Sequence, residues 1–293
     1  MSIKPGALRF NTDSMKLEIF RGSANYEGTA SMAGIGTLAA GQWEEIVATS
    51  PEAQTGGARG VMFGGVNNSA VVNQIEYINI DSTGNSIDFG TISATTSSSS
   101  AVSSRERGLY GGGQVPTTVN TIEFITISST GNAINFGDLS QTRRYSAGMS
   151  NQTRGVFAGG DTPSISTTID YVTIAQTGDA IDFGDLSTGS TTFQGLSSST
   201  RGICAGGDPG INTIQFITIS TLGNSADFGD LTQARRGNTA CSNSTRGIFS
   251  GGYTPALYDI IDYVEIATLG NAVDFGNLTQ SRWLLASCSS STL

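Results

Sequence analysis

The chain has 293 residues, of which 39 are glycine and only 13% are charged, with a formal charge of −9 and no histidine. The acidic balance and the absence of any basic cluster argue against nucleic acid as a partner, because that binding rests on neutralising phosphates. Without histidine the chain lacks the usual general base, the commonest metal ligand and the sensor for roughly pH 5 to 8, so neither a metal nor another cofactor is expected. Abundant Ser and Thr beside the glycine describe a turn-rich β protein, long enough to bury a core without disulfides.

Residues 1–58 stand apart from the rest of the chain. Both lysines, Lys4 and Lys16, lie in this segment. Met1 to Pro5 lacks the apolar core of a signal peptide and no run reaches bilayer-spanning length, so synthesis in a cytoplasm and no membrane insertion are expected. Ala7 to Asn11 and Lys16 to Phe20 alternate side-chain types around the polar Thr12 to Met15, which predicts a β-hairpin. Ser23 to Gly41 is small and flexible in composition, and Gln42 to Ile46 predicts a third short strand anchored by Trp43. So small a segment buries too little apolar surface to stand alone and is expected to dock or self-associate. Its candidate docking side chains are Leu8, Phe10, Leu17, Ile19, Phe20 and Trp43.

Gly6-Ala7-Leu8-Arg9-Phe10-Asn11-Thr12, followed by Lys16-Leu17-Glu18-Ile19-Phe20 and later Gln42-Trp43-Glu44-Glu45-Ile46, resembles a short element of tail-fibre and other virion structural proteins of tailed bacteriophages. There an RFN(T/S), LE(aromatic), G, W pattern forms a β-hairpin module. The insertion Ser23 to Gly41 departs from the compact form. The resemblance implies a non-enzymatic virion structural protein, assembled in the host cytoplasm, with other virion proteins as partners. The portion of the chain after residue 58 would then decorate a tail fibre, a baseplate or the capsid.

From Arg59 onward the sequence repeats. Arg-Gly followed by an apolar strand and a Gly-Gly pair starts at Arg59, Arg107, Arg154, Arg201 and Arg246, in steps of 48, 47, 47 and 45 residues. A period of about 40 to 50 belongs to β-propellers. The units are 59–106, 107–153, 154–200, 201–245 and 246–293, which predicts an all-β, five-bladed β-propeller over 59–293 with the small N-terminal hairpin extension before it.

Within a unit four strands can be read. In the third, strand b is Gly155 to Gly160, strand c is Ile169 to Ile174 and strand d is Ala180 to Phe183, while strand a of the next blade lies near Thr191 to Ser198. Strand c carries apolar groups on both faces, as a sheet packed between two others requires. Gly with Asn or Asp between c and d suits a tight hairpin. Strand d brings one phenylalanine per unit, Phe89, Phe136, Phe183, Phe228 and Phe275, expected between adjacent blades. The Gly-Gly pairs are expected on inner strands crowded at the axis, where Gly permits close backbone approach. Such a pair also resembles the kelch repeat, although Phe stands where that repeat has tryptophan, so the propeller is kelch-like. The last strand of type a, Leu284 to Ser289, is expected to complete the first blade and close the ring.

Loops b to c and linkers d to a share one predicted face and vary among copies, which marks it for recognition. Its candidate ligand residues are Arg143, Arg144, Arg235, Arg236, Tyr253, Tyr258, Arg282 and Trp283. A host surface glycan is the ligand this face would take if the protein is a receptor-binding adhesin, the alternative to a purely structural role. The arginines that open strand b are expected to pair with aspartates of a neighbouring blade, such as Asp138, Asp185 and Asp230. The recurring Asp88, Asp182, Asp227 and Asp274 have the spacing of neither a two-carboxylate hydrolase nor a calcium loop. Cys204, Cys241 and Cys288 have no zinc or redox spacing and are expected as small apolar fillers.

Overall fold

A computed structural model describes residues 7–11, 16–21, 42–45, 59–68, 70–114 and 116–287, and among them it contains strands and no helix. The chain forms two compact units, 1–51 and 52–293.

In the first unit β1 (Leu8–Asn11), β2 (Lys16–Arg21) and β3 (Gln42–Glu45) make an antiparallel sheet in that order. The register pairs Leu8 with Ile19 and Phe10 with Leu17, and on the other side of β2 it pairs Phe20 with Trp43. Because partners alternate with period two, Leu8, Phe10, Leu17 and Ile19 occupy one set of cross-strand positions, whereas Phe20 and Trp43 occupy the alternate set. The expected turn 12–15, the insertion 23–41 and Ile46 lie outside the described residues.

The second unit is a five-bladed β-propeller. The first blade is β4 (Arg59–Val66), β5 (Val71–Asn79) and β6 (Ile87–Thr91). The second is β7 (Ser100–Ser103), β8 (Arg107–Gly111), β9 (Thr121–Thr126) and β10 (Ile134–Asp138). Blade three holds β11 (Ala147–Ser150), β12 (Arg154–Ala158), β13 (Thr168–Thr173) and β14 (Ile181–Asp185). Blade four holds β15 (Gln194–Ser197), β16 (Arg201–Ala205), β17 (Thr213–Thr218) and β18 (Ala226–Asp230). Blade five holds β19 (Thr239–Ser242), β20 (Arg246–Ser250), β21 (Ile260–Glu265) and β22 (Val273–Asn277). Each of blades two to five is an antiparallel a-b-c-d sheet, whereas blade one has only b, c and d among the described residues.

Two expectations are corrected by this arrangement. The innermost strands are β7, β11, β15 and β19, of type a, which touch one another around the axis; the Gly-Gly strands stand one place further out. Small residues allow the inner approach: Ser103 N donates to Ser150 Oγ at 3.3 Å, Ser150 N to Ser197 Oγ at 3.2 Å, and Ser242 Oγ to Ser197 O at 3.0 Å. The Gly-Gly pair instead lets the chain leave strand b with positive φ and meet the linker to the next blade, as when Gly113 N donates to Arg143 O at 2.8 Å. Second, residues 284–287 of the expected closing strand belong to no ladder, and residues 288 and 289 lie outside the described residues.

The blades are joined by one device repeated along the chain. In every c–d pair the register slips at the Phe-Gly step: Ile169 faces Gly184 while Asp170 faces Asp182, leaving Phe183 as the extra residue of a β-bulge. A bulge re-aims its side chain, and here it sends the ring into the next blade. Phe136 packs with Phe157, Val172 and Ile174 of blade three, and Phe183 with Cys204, Ile217 and Ile219 of blade four. The glycine that comes next, Gly184, lies so close to the turn of blade four that a Cβ would stand 2.5 Å from Gly223 O. Polar contacts reinforce the joint. Gly223 N donates to Phe183 O at 2.8 Å, Ser225 N to Asp185 O at 2.8 Å, and Asp185 N to Asn224 Oδ1 at 3.0 Å.

The arginines opening strand b also work across this seam, and not through aspartates as expected. Arg59, Arg107, Arg154 and Arg201 each lie over the strand-c aromatic of their own blade, at 4.6 to 5.0 Å from the ring centre. Each then donates to a carbonyl of the next blade, Ile127, Ile174, Ile219 and Ile266 in turn, at 2.7 to 3.0 Å. Arg246 lies over its strand-c aromatic, Tyr263, in the same way but pairs with Glu265 of its own blade at 2.9 Å.

Candidate recognition face

In blades two to five the residue after the Gly-Gly pair forms a β-bridge to the linker that enters strand a of that blade: Gln114 with Ser97, Asp161 with Arg144, Asp208 with Thr191 and Tyr253 with Arg236. The fold thus fixes two side chains per blade side by side at one rim, while their identities vary. Positions so held yet free in chemistry are where recognition can be written onto a rigid scaffold.

Two clusters form on this rim. In the first, Arg144 pairs with Asp161 at 2.7 Å and donates to Gln114 Oε1 of the preceding blade. In the second, Arg236 pairs with Asp208 and lies 5.4 Å from the ring centre of Tyr253, which in turn packs against Trp283 at 5.4 Å between ring centres. Trp283 remains 43% exposed. Both arginines are neutralised by carboxylates, so the second cluster offers an uncharged aromatic surface edged by hydrogen-bonding groups. Such a surface suits a neutral, hydroxyl-rich ligand better than a polyanion.

The candidate residues therefore divide. Arg236, Tyr253 and Trp283 are brought together, and Arg144 forms a neighbouring cluster of its own. Tyr258 is half-buried with its hydroxyl donated to Thr254 O, and Arg282 is exposed. Arg143 and Arg235 are not on the face at all, since both are fully buried. Arg143 Nη2 lies 2.6 Å from Asp170 Oδ2, with Nη1 2.9 Å from Thr168 O, and Ser140 N and Oγ also bond the carboxylate. Arg235 meets Asp262 at 2.9 Å in the same way. Burial pulls both guanidinium pKa values down and the facing aspartate pulls them partly back. In each case the arginine precedes its partner by 27 residues, a constant offset between linker and strand c that marks them as internal pairs.

Asp161, Asp208 and Gln114 head loops expected on the variable face but are not among the candidate ligand residues read from the sequence. Their signal was position: each directly follows a Gly-Gly pair. An axial cavity of about 380 Å³ is lined by Ser103, Ser150, Ser197, Ser242 and Arg59 and holds no acid–base pair. Among the described residues no three His, Cys, Asp or Glu side chains gather where they could hold a metal. Cys204 is buried in a seam and its thiol is pushed up to about 12, so it packs as an apolar group; Cys241 is half-buried and Cys288 lies outside the described residues.

Comparison with protein-family models and with curated protein sequences returned no match. The class defined by the structure is the five-bladed β-propeller, a scaffold on which fold alone assigns no activity.

Proposed function

We propose that this chain is a non-enzymatic display protein of a tailed-phage virion, held to the particle through residues 1–58 and presenting the propeller outward. The observation that carries this reading is the contrast within the rim: a repeated seam between consecutive blades holds it, while the residues after the Gly-Gly pairs vary over Val66, Gln114, Asp161, Asp208 and Tyr253. A rigid body with one variable, half-exposed face is built to be presented. The particle assignment rests on the resemblance of Gly6 to Thr12, Lys16 to Phe20 and Gln42 to Ile46 to the fibre-type hairpin. Its partners are then other virion proteins, with residues 1–58 also serving self-association. The test is to quantify the protein in purified particles by mass spectrometry and locate it by electron microscopy. Fixed stoichiometry at one particle location supports the reading, and absence from washed particles defeats it.

A second reading is favoured by one specific cluster. Asp208, Arg236, Tyr253 and Trp283 form a neutral aromatic surface, which fits a host glycan and makes the displayed propeller an adhesin. Glycan-array and host-cell binding by the purified chain should disappear in Trp283→Ala. Equal binding by the variant, or no binding by either protein, removes the adhesin role and leaves the structural one.

A further inference from the structure

The linker entering each of blades two to five carries one side chain matched to a polar residue of that blade's strand c. Entering blades three and five, the match is a cation on an anion, Arg143 with Asp170 and Arg235 with Asp262. Entering blade four, both members are neutral. Ser190 stands in the arginine's place and Gln215 in the aspartate's, and the Gln215 amide accepts from Ser187 Oγ at 2.7 Å and donates to Thr188 O at 2.9 Å. Entering blade two, the match fails: Thr96 replaces the arginine, while Glu123 keeps the carboxylate. Glu123 is 5% exposed, accepts only from Ser93 N, at 3.2 and 3.3 Å, and has no ion-pair partner among the described residues. A carboxylate so buried is costly without a counter-cation.

The surroundings of Glu123 are short of partners in the same way. Thr96 and Tyr110 are 5% and 7% exposed, yet Thr96 Oγ1 and Tyr110 OH are buried without a hydrogen-bond partner. Tyr110 stands directly opposite Glu123 in the β8–β9 ladder, where blade three has the hydroxyl-free Phe157 opposite Asp170. Thr96 and Tyr110 both line a cavity of about 500 Å³ whose other wall includes Val61, Met62 and Phe63 of β4. The two neighbouring seams show what the acceptors of this place hold. Arg143 Nη2 lies 2.6 Å from Asp170 Oδ2, and its Nη1 donates to Thr168 O at 2.9 Å and to Gly159 O at 3.3 Å. Blade two has Glu123, Thr121 O and Gly112 O at the same register positions, and Gly112 N meets Thr121 O at 3.1 Å as Gly159 N meets Thr168 O at 3.0 Å.

We infer that the seam between blades one and two is a binding site for an alkylguanidinium, whose head takes the place filled elsewhere by Arg143 and Arg235. The head pairs with Glu123 and donates to Thr121 O and Gly112 O, and its remaining N–H groups find acceptors in Thr96 Oγ1 and Tyr110 OH. The alkyl stem lies in the cavity along Val61, Met62 and Phe63, as arginine stems lie along apolar surface. A guanidinium fits better than an ammonium or a metal ion, because one carboxylate and two carbonyls held by a strand match a planar fork of donors and not a point charge. Free alkylguanidines and the arginine side chain of a partner protein share this chemistry.

The test is calorimetric titration of the full chain with butylguanidinium and with N-acetyl-arginine methylamide, at concentrations far below those that denature. Saturable binding of butylguanidinium is expected, with butylammonium at least about tenfold weaker because it lacks the fork. Glu123→Gln copies the neutral Gln215 and should weaken butylguanidinium binding at least about tenfold, the loss of a charge-assisted pair. Thr96→Arg rebuilds the pair of the neighbouring seams within the chain, so it should raise the melting temperature and abolish binding. Binding of both ligands assigns the site to an arginine side chain, and binding of butylguanidinium alone assigns it to a free compound. No saturable binding by the parent protein, undiminished binding by Thr96→Arg, or tighter binding of butylammonium or calcium ion would overturn the proposal.

Discussion

The seam between blades three and four and the gap between blades five and one are made from the same residue types, yet one is dry and the other is wet. At the first, Phe183, Cys204, Ile217 and Ile219 are buried together, with backbone bonds and the Arg154 side chain closing the edges. At the second, Phe275, Met62 and Ile80 face solvent. The repeat therefore encodes a surface, and burial of that surface depends on having a blade on the other side. Stability in such an array is held largely in the interfaces between neighbours.

That contrast is broken most sharply at the bulged phenylalanine. Phe183→Ala should cost about 3 to 5 kcal/mol, the usual loss for a buried aromatic, because the cavity opens between two blades that cannot collapse onto it. Phe275→Ala should cost less than about 1 kcal/mol if the seam stays open, because half the ring is already in water. Urea denaturation of both variants measures the difference. Equal losses would mean that the fifth seam is sealed in solution.

The buried arginines offer a second break of similar size. Arg143→Ala leaves Asp170 as an uncompensated charge in a dry seam and should cost about 3 to 5 kcal/mol, whereas replacing both partners by apolar residues should cost far less. Arg282→Ala, at the exposed equivalent, should fall within about 1 kcal/mol of the parent. Thermal melting of the three variants decides whether burial, rather than the residue type, makes the pair matter.

Much of this was legible in the sequence, and what was missed has a physical reason. The period, the five units, the turns and the burial of Phe89, Phe136, Phe183 and Phe228 between blades could be read because each is a local requirement that the repeat restates, while Phe275, expected in the same place, is exposed. Radial order was not, because Gly-Gly can serve either crowding at an axis or a left-handed exit, and only the pairing of β11 with β12 and β12 with β13 separates the two. Arg143 and Arg144 are neighbours with identical local chemistry, yet one is buried against Asp170 and the other is half-exposed at the rim. Linker geometry makes that choice, and it reached the sequence only as the 27-residue offset to the acidic partner. The face itself was found from its variation, but its carboxylates were not, because Asp after Gly-Gly also suits a plain turn.

Alkali should separate the sealed seam from the open one by a smaller margin. Burial raises the Cys204 thiol from 9.0 to about 12, and the Tyr110 hydroxyl from 10.0 to about 12. In both cases the unfolded chain releases its proton first, so the native state binds more protons and stability falls as pH rises past the unfolded value. Between about pH 9 and 10 the loss comes from Cys204, at up to about 1.4 kcal/mol per pH unit, and Tyr110 adds to it above pH 10. Cys204→Ala should flatten the melting temperature between pH 9 and 10. Met62, at the same position of the open seam, brings no such dependence, so a slope unchanged by the Cys204 substitution would mean that the third seam is hydrated.

The smallest effect concerns the arginines that open strand b, and it isolates the seam most cleanly because the ring contact is the same on both sides. Arg201 lies 5.0 Å from the centre of Phe216 and Arg246 lies 4.5 Å from that of Tyr263. Arg201 also donates across the seam to Ile266 O at 2.7 Å, while Arg246 makes only a half-exposed pair with Glu265. Replacement by Lys keeps the charge but loses the planar fork that serves ring and acceptor together. Arg201→Lys, which keeps the charge, should therefore cost about 1 kcal/mol, the net worth of an intramolecular hydrogen bond, and Arg246→Lys only about 0.3 kcal/mol. Salt sharpens the distinction, because about 1 M NaCl should screen the Arg246 contribution and leave most of that of Arg201. If the two variants lose the same stability at both ionic strengths, the carbonyl of the next blade contributes nothing and the arginine acts only within its own blade.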